Sequence, residues 1–230
     1  MKTIGVIGGM SWESTATYYR YLNEQIKRRM GGLHSAKVII NSVDFAEIEQ
    51  LQRCGDWQTS GEVLTQAALS LQHAGADFFL IATNTMHKVA SQIEQSVSIP
   101  LLHIADATGQ ELQRQNITKV GLLGTAFTME QDFYKQRLID KYAIDVVVPN
   151  GAQRKRVHDV IYNELCLGQI HRHSKNDYCA IIEDLAGNGA QGVILGCTEI
   201  GLLVEQTDSQ VPLFDTVQIH ALAAVEQALK

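Results

Sequence analysis

Short apolar runs rich in Val, Ile and Leu alternate along the chain with longer amphipathic stretches. This alternation predicts parallel strands joined by crossover helices. One amphipathic stretch, Ser60–His73, carries apolar residues at helical spacing: Val63, Leu64, Ala67, Ala68 and Leu71. The predicted strands are Thr3–Ile7, Ala36–Asn41, Phe78–Ala82, Leu101–His103, Lys119–Leu123, Asp145–Val148, Gly192–Leu195 and Leu213–Phe214. The pattern therefore indicates an α/β fold with mostly parallel sheets flanked by helices.

The two halves of the chain repeat the same order of motifs. "LIATNTMH" at 80–87 resembles "ILGCTEI" at 194–200, and "IGVIGGMSW" at 4–12 resembles "VGLLGTAFT" at 120–128. Three landmarks align at offsets of 116, 114 and 112 residues: Gly5 with Gly121, Thr83 with Cys197, and Pro100 with Pro212. We infer an internal duplication that gives two pseudo-symmetric lobes, residues 1–104 plus 215–230 and residues 105–214.

Thr83 and Cys197 each follow a predicted buried strand. Ligands of open parallel sheets bind beyond the carboxyl ends of the strands. We therefore expect the active site in the cleft between the lobes, with the hydroxyl and the thiol on opposite walls. Such a cleft suits a reaction that removes a proton from one face of a carbon and returns one to the other.

At these strand ends the sequence resembles the aspartate/glutamate racemase family, and the resemblance runs essentially end to end. The Cys-Asn-Thr motif of that family is matched by Thr83–Thr85, with threonine in place of the cysteine. Its Gly-Cys-Thr-Glu motif is intact as Gly196–Glu199. The resemblance implies an amino-acid racemase that acts on aspartate or glutamate without pyridoxal phosphate or another cofactor.

The resemblance assigns catalysis to Cys197 and Thr83. Cys197 is expected to remove the Cα proton of the L-enantiomer as a thiolate, because it precedes a predicted helical turn whose dipole favours the anion. Thr83 is a far weaker acid and is expected to donate a proton, directly or through water. The pair predicts an apparent L-to-D preference. Since enantiomers have equal free energy, one-way behaviour comes only from unequal saturation or product removal.

Further residues of the matched motifs are expected to bind the substrate. Asn84, Thr85 and Thr198 offer amide and hydroxyl groups to the α-carboxylate, although capping of a helix is the alternative role for such residues. Met10, in the glycine turn "GGMSW", and Thr125, its counterpart in the second lobe, complete this set. The same turn predicts that Ser11 caps a helix that begins at Trp12.

Recognition of the substrate side chain is less defined by the sequence. Aspartate-specific relatives place a lysine where this chain has Cys166, and an arginine that is missing here after Val43. Gln52 or Arg53 is therefore expected to recognise the distal carboxylate of the substrate. Glu199 is expected either to orient Cys197 at the substrate or to lie exposed at a helix start. The alternatives are a broad-specificity racemase, a single-cysteine decarboxylase or isomerase of the superfamily, and a catalytically weakened amino-acid-binding protein.

The composition bears on which partners, cofactors and location the protein is expected to have. The 230 residues carry a formal charge of −6, which gives no electrostatic reason to bind nucleic acid or an anionic membrane. No segment approaches the roughly 18 apolar residues of a membrane span. The 4 cysteines are widely spaced, so neither a disulfide nor a metal site is predicted. We expect a cytoplasmic enzyme with a small amino-acid substrate and, by resemblance, a possible homodimer.

Overall fold

The structure is a computed structural model that describes residues 1–230. The chain divides into two compact units, unit 1 with residues Met1–Ile104 and Val217–Lys230, and unit 2 with residues Ala105–Thr216. Each unit contains one parallel sheet flanked by helices, so the predicted α/β class with two parallel sheets is confirmed. No helix has both the length and the apolar character that a membrane crossing requires.

Unit 1 has a three-stranded sheet in the order β2-β1-β3. The strands are β1 (Ile4–Gly8), β2 (Val38–Ser42) and β3 (Phe78–Ile81). The helices are α1 (Trp12–Met30), α2 (Phe45–Cys54), α3 (Trp57–His73) and α4 (Ala90–Glu94), with a 3-10 helix at Thr85–Val89 and most of α11 (Thr216–Leu229). Every residue of β1 and β3 is buried, which explains why both strands are continuous apolar runs.

Successive residues of β3 pack on opposite faces of the sheet, as the period of two in a strand requires. Phe78 and Leu80 join a core cluster with α1 and α11, whereas Phe79 and Ile81 join a cluster with α3. The predicted stripe of Ser60–His73 supplies the second cluster, since it lies in α3 and buries most of its apolar residues there.

Unit 2 has a four-stranded sheet in the order β5-β4-β6-β7. The strands are β4 (Lys119–Gly124), β5 (Asp145–Val147), β6 (Val193–Gly196) and β7 (Leu213–Asp215). The helices are α5 (Ile104–Arg114), α6 (Ala126–Glu130), α7 (Asp132–Tyr142), α8 (Gly151–Asn163), α9 (Arg172–Gly187) and α10 (Ile200–Leu203), with 3-10 helices at Leu165–Leu167 and Gln206–Asp208.

One predicted strand of unit 1 is reduced to a single bridge. Leu101 pairs with Phe79 in parallel, in the place that β7 occupies beside β6, but Leu101–His103 does not form a strand. The amide of Leu102 still donates to the carbonyl of Phe79 at 2.8 Å, but the backbone groups that follow bond to side chains instead of a ladder. The carbonyl of Leu102 contacts Nε2 of His220 at 2.8 Å, and the amide of Ile104 donates to Nε2 of His87 at 3.2 Å. The strand prediction is therefore wrong beyond its first residue.

Candidate active site

In unit 1, two paired strands end side by side and expose Thr83 at their edge. Ile7 of β1 is in register with Ile81 of β3, and the amide of Ala82 donates to the carbonyl of Ile7 at 2.9 Å. Thr83 is the next residue and keeps part of its surface exposed, whereas Asn84 and Thr85 after it are buried. The three residues of the matched motif thus lie at a strand exit, as the sequence predicts.

A buried histidine fixes the backbone of this exit. Nδ1 of His87 lies 2.9 Å from the carbonyl oxygen of Thr83, and Nε2 of His87 accepts the amide of Ile104. Because a backbone amide can only donate, Nε2 carries no proton and the neutral ring donates from Nδ1 to Thr83. Burial, reinforced by neighbouring His103 and His220, holds the pKa of His87 well below its usual value. His87 therefore holds the Thr83 carbonyl as a neutral imidazole.

His87 belongs to a cluster of three buried histidines that sequence reasoning missed. Its ring centroid lies 4.4 Å from that of His103 and 6.0 Å from that of His220. Tyr18 completes the group, because its hydroxyl lies 2.8 Å from Nδ1 of His220. The only hint in the sequence is the spacing of four residues between Thr83 and His87, which permits one helical turn.

The glycine turn after β1 is held by its own hydrogen bonds. The amide of Gly9 donates to Oγ1 of Thr15 at 2.8 Å, and Oγ of Ser11 accepts the amide of Ser14 at 3.3 Å. The prediction that Ser11 caps a helix beginning at Trp12 is confirmed. The side chain of Met10 is buried in the α3-side core cluster, so its backbone is the part available for the predicted substrate contact.

Gln52 of α2 reaches the same end of unit 1. Its side chain is buried, and Nε2 donates to the sulfur of Met86, inside the 3-10 helix that follows the motif, at 3.0 Å. Arg53, the other residue predicted to recognise a distal carboxylate, is exposed. Gln52 is therefore the one of the two that lies against the motif segment.

Unit 2 repeats this arrangement with Cys197 in the place of Thr83. Gly124 at the end of β4 is in register with Gly196 at the end of β6, so Thr125 and Cys197 are the next residues on neighbouring strands. Oγ1 of Thr125 accepts the amide of Thr128 at 3.3 Å and caps α6. Thr125 therefore caps the helix that follows β4.

The thiol of Cys197 lies against a buried carboxylate. Sγ donates to Oε2 of Glu199 at 3.0 Å, and Oγ1 of Thr198 donates to the same oxygen at 2.6 Å. Glu199 is 5% exposed, whereas Cys197 and Thr198 keep part of their surface exposed. Of the two roles predicted for Glu199, contact with Cys197 is observed and exposure at a helix start is wrong.

Features around Cys197 oppose the helix-dipole effect on which the expected thiolate relies. The helix that follows, α10, is only 4 residues long, and the charge of Glu199 lies between it and the thiol. Burial, then the charge of Glu199 and then Cys166, raise the pKa of Cys197 well above its usual value. The raised pKa and the hydrogen bond from Sγ to Glu199 both favour the protonated thiol, and a base beside it would help to form the thiolate.

Cys166 packs against the unit 2 core and contributes to the raised pKa of Cys197. No group of three or more His, Cys, Asp or Glu side chains in residues 1–230 is arranged to hold a metal ion.

Known proteins share this fold over the whole chain. The Asp/Glu/hydantoin racemase family matches residues 7–224. A proposed Asp/Glu racemase from Yersinia pestis is 55% identical, and an aspartate racemase homologue from Pyrococcus horikoshii OT3 is 35% identical. Their structures give TM-scores of 0.94 and 0.85, each with 100% of both chains covered. The broad specificity amino-acid racemase RacX of Bacillus subtilis (strain 168) is 22% identical over 237 residues, with 98% of each chain covered.

These similarities define the class of protein: an isomerase that racemises amino acids. The chain belongs to the Asp/Glu/hydantoin racemase family. The resemblance drawn from the two motifs is thereby confirmed.

Proposed function

We propose that this racemase acts on aspartate or glutamate without a cofactor, with Cys197 as the base on the L-side and Thr83 as the opposing proton donor. The supporting observation is the equivalent position of the two residues. Thr83 is the second residue after Ile81 of β3, and Cys197 is the second residue after Leu195 of β6. Ile81 pairs with Ile7 of the central strand β1, and Leu195 pairs with Leu123 of β4.

Both strand exits present polar groups suited to the carbanion-like transition state. Asn84 and Thr85 at the first exit, with Thr125 and Thr198 at the second, supply hydroxyl, amide and backbone N–H groups for the substrate α-carboxylate and the charge that develops next to it. Fixed donors of this kind stabilise developing charge because they need no reorganisation during the reaction. The backbone at Met10 offers a further contact of the same kind.

The proposed substrate range is wider than aspartate and glutamate alone. Gln52 is the side chain to which we assign recognition in unit 1, and it is a neutral amide that does not demand a distal carboxylate. Cys166 is likewise neutral at the place where a lysine is expected in aspartate-specific relatives. RacX, a relative over nearly the whole chain, is described as broad in specificity. We therefore propose measurable turnover of neutral amino acids beside the acidic ones.

A deuterium exchange experiment tests the reaction. Single enantiomers of aspartate, glutamate and alanine are incubated with the protein in deuterium oxide, and Cα exchange is followed by NMR with chiral chromatography of the product. Exchange with inversion that disappears in Cys197→Ser is the expected result. Thr83→Cys should speed inversion of both enantiomers, because a thiol replaces a much weaker acid.

The same experiment separates the alternative functions. Binding without exchange would identify an amino-acid-binding protein that has lost turnover. Carbon dioxide released from a substituted malonate, with no exchange from amino acids, would identify a decarboxylase. Exchange that persists in Cys197→Ser would remove Cys197 from its role, and no gain in Thr83→Cys from either enantiomer would remove Thr83.

A further inference from the structure

Glu199 is the one carboxylate in direct contact with the thiol of Cys197. Its Oε2 accepts hydrogen bonds from Sγ of Cys197 and Oγ1 of Thr198, at 3.0 and 2.6 Å. A carboxylate that is almost fully buried costs free energy unless hydrogen bonds compensate it. Two donors converge on one oxygen here, so the oxygen is held on the thiol rather than turned to solvent.

We propose that Glu199 is a positioning residue that takes up the Cys197 proton when substrate binds, an inference that rests on the proposed function. The proton passes from Sγ to Oε2, which leaves a thiolate and a neutral carboxylic acid. The thiolate then removes the Cα proton, so the thiol is restored and the electron pair stays on the substrate as a carbanion. The carbanion takes a proton from Thr83, and exchange with solvent returns the protons of Thr83 and Glu199 to their resting positions.

The other groups that interact electrostatically with Cys197 are poor acceptors. Cys166 is a second thiol, and burial raises the pKa of the Tyr178 hydroxyl well above its usual value. The Tyr178 hydroxyl therefore stays protonated near neutral pH and holds no free charge for a proton. The hydroxyl of Thr198 is also a donor in this arrangement, and its short bond to Oε2 directs that oxygen toward Sγ.

The contact explains why a thiol with a raised pKa can serve as a base. A thiolate formed permanently beside Glu199 would place two negative charges in a partly buried site. Transfer of the proton to Glu199 keeps one negative charge in the site at every step. The thiolate then exists only while the substrate ammonium group is present to offset it.

Glu199→Gln separates proton uptake from a structural role. The amide keeps the size of the side chain and an acceptor for Thr198, but it cannot take a proton at neutral pH. We expect Cα exchange from the L-enantiomer to fall about 100- to 10,000-fold, the usual contribution of general acid–base groups. Alkylation of Cys197 by iodoacetamide at pH 8, followed by peptide mass spectrometry, should instead become faster, because removal of the neighbouring charge favours the thiolate.

The test depends on two opposite changes in Glu199→Gln: Cα exchange should become slower and alkylation of Cys197 should become faster. A charge effect alone would accelerate both reactions, and a structural collapse would abolish exchange without the recovery expected when a carboxylate is restored. Glu199→Asp, which keeps a carboxylate, should recover part of the exchange. Glu183→Gln is the matched control, because Glu183 is an exposed carboxylate of α9 in the same unit, and both of its rates should equal those of the unmodified protein.

Each failure has a distinct meaning. Full exchange in Glu199→Gln, with an active unmodified protein, would overturn the role of Glu199 and leave the racemase proposal intact. Slower alkylation and slower exchange together would also overturn it in favour of a structural role. An unmodified protein that exchanges no substrate would refute the proposed function itself.

Discussion

Acid should destabilise unit 1 through His220, whose neutral ring is held at both nitrogens. Nε2 donates to the carbonyl of Leu102 and Nδ1 accepts the hydroxyl of Tyr18, each at 2.8 Å. Burial lowers the pKa of His220 from 6.5 to about 4. Between these values the unfolded chain binds a proton that the folded chain does not, so the free energy of unfolding falls as the pH drops.

The size of the effect follows from the two pKa values. Each unit of difference is worth about 1.4 kcal/mol. The loss from His220 therefore reaches about 2 kcal/mol at pH 5 and about 3 kcal/mol below pH 4. His87 adds a loss of the same sign, because its pKa is also lowered by burial.

Urea unfolding at pH 7, 6 and 5 measures this dependence. His220→Gln keeps a donor for Leu102 but cannot be protonated, so it should be about 1 kcal/mol less stable at pH 7 through the lost Tyr18 contact. Its stability should then fall less steeply with acid, and the difference from the unmodified protein should vanish or reverse by pH 5. His34→Gln, at an exposed histidine, is the control that should leave the slope unchanged. Equal slopes for His220→Gln and the unmodified protein would refute the reasoning.

Three further changes test the packing around the strand exits. Gly9→Ala should lower the free energy of unfolding by at least about 2 kcal/mol. Gly9 has a φ of 92°, and a Cβ there would lie 2.1 Å from the carbonyl oxygen of Val43. Gly187→Ala, whose added Cβ would meet nothing within 4 Å apart from its chain neighbours and its own helix backbone, should be neutral, and thermal melting of the two variants distinguishes them. His87→Leu should cost about 2–5 kcal/mol in urea unfolding, because it leaves two buried backbone groups without their partner, and a smaller loss would show that these groups find water. Asp106→Asn should lower the free energy of unfolding by about 1–2 kcal/mol, because it weakens the two hydrogen bonds from Arg137, at 2.6 and 2.8 Å. Added salt should reduce this difference in urea unfolding.

Much of the fold could be predicted because its strands are buried on both faces. Continuous apolar runs such as Phe78–Ile81 arise only where both faces are covered, and here they separated strands from amphipathic helices. The caps were equally local, since Ser11 satisfies an amide only three residues away. The matched strand exits followed from the duplication, because equivalent strands of the two sheets end within one residue of equivalent positions.

The chemistry around those exits could not be predicted, because it depends on contacts between distant residues. The bridge at Leu101 stops early because side chains far away in sequence, His87 and His220, bond the backbone that follows. The raised pKa of the Cys197 thiol likewise could not be inferred from local sequence. A helix dipole can be inferred from local sequence, whereas burial and the direction of the Glu199 carboxylate are set by the folded unit.

The two strand exits differ in a way that predicts a different pH dependence of Cα exchange for the two enantiomers. Cys197 has a carboxylate two residues later, whereas the residue two positions after Thr83 is Thr85, which carries no charge. A donor hydroxyl needs no such acceptor, but a thiol placed at residue 83 would. In Thr83→Cys the inversion rates of the two enantiomers at low concentration must stay equal, yet exchange without inversion is free to differ. The rate of Cα exchange from the D-enantiomer should therefore keep rising with pH until the new thiol is ionised. The rate of Cα exchange from the L-enantiomer should level off at a lower pH. Identical pH profiles for the two enantiomers would show that Glu199 gives Cys197 no advantage.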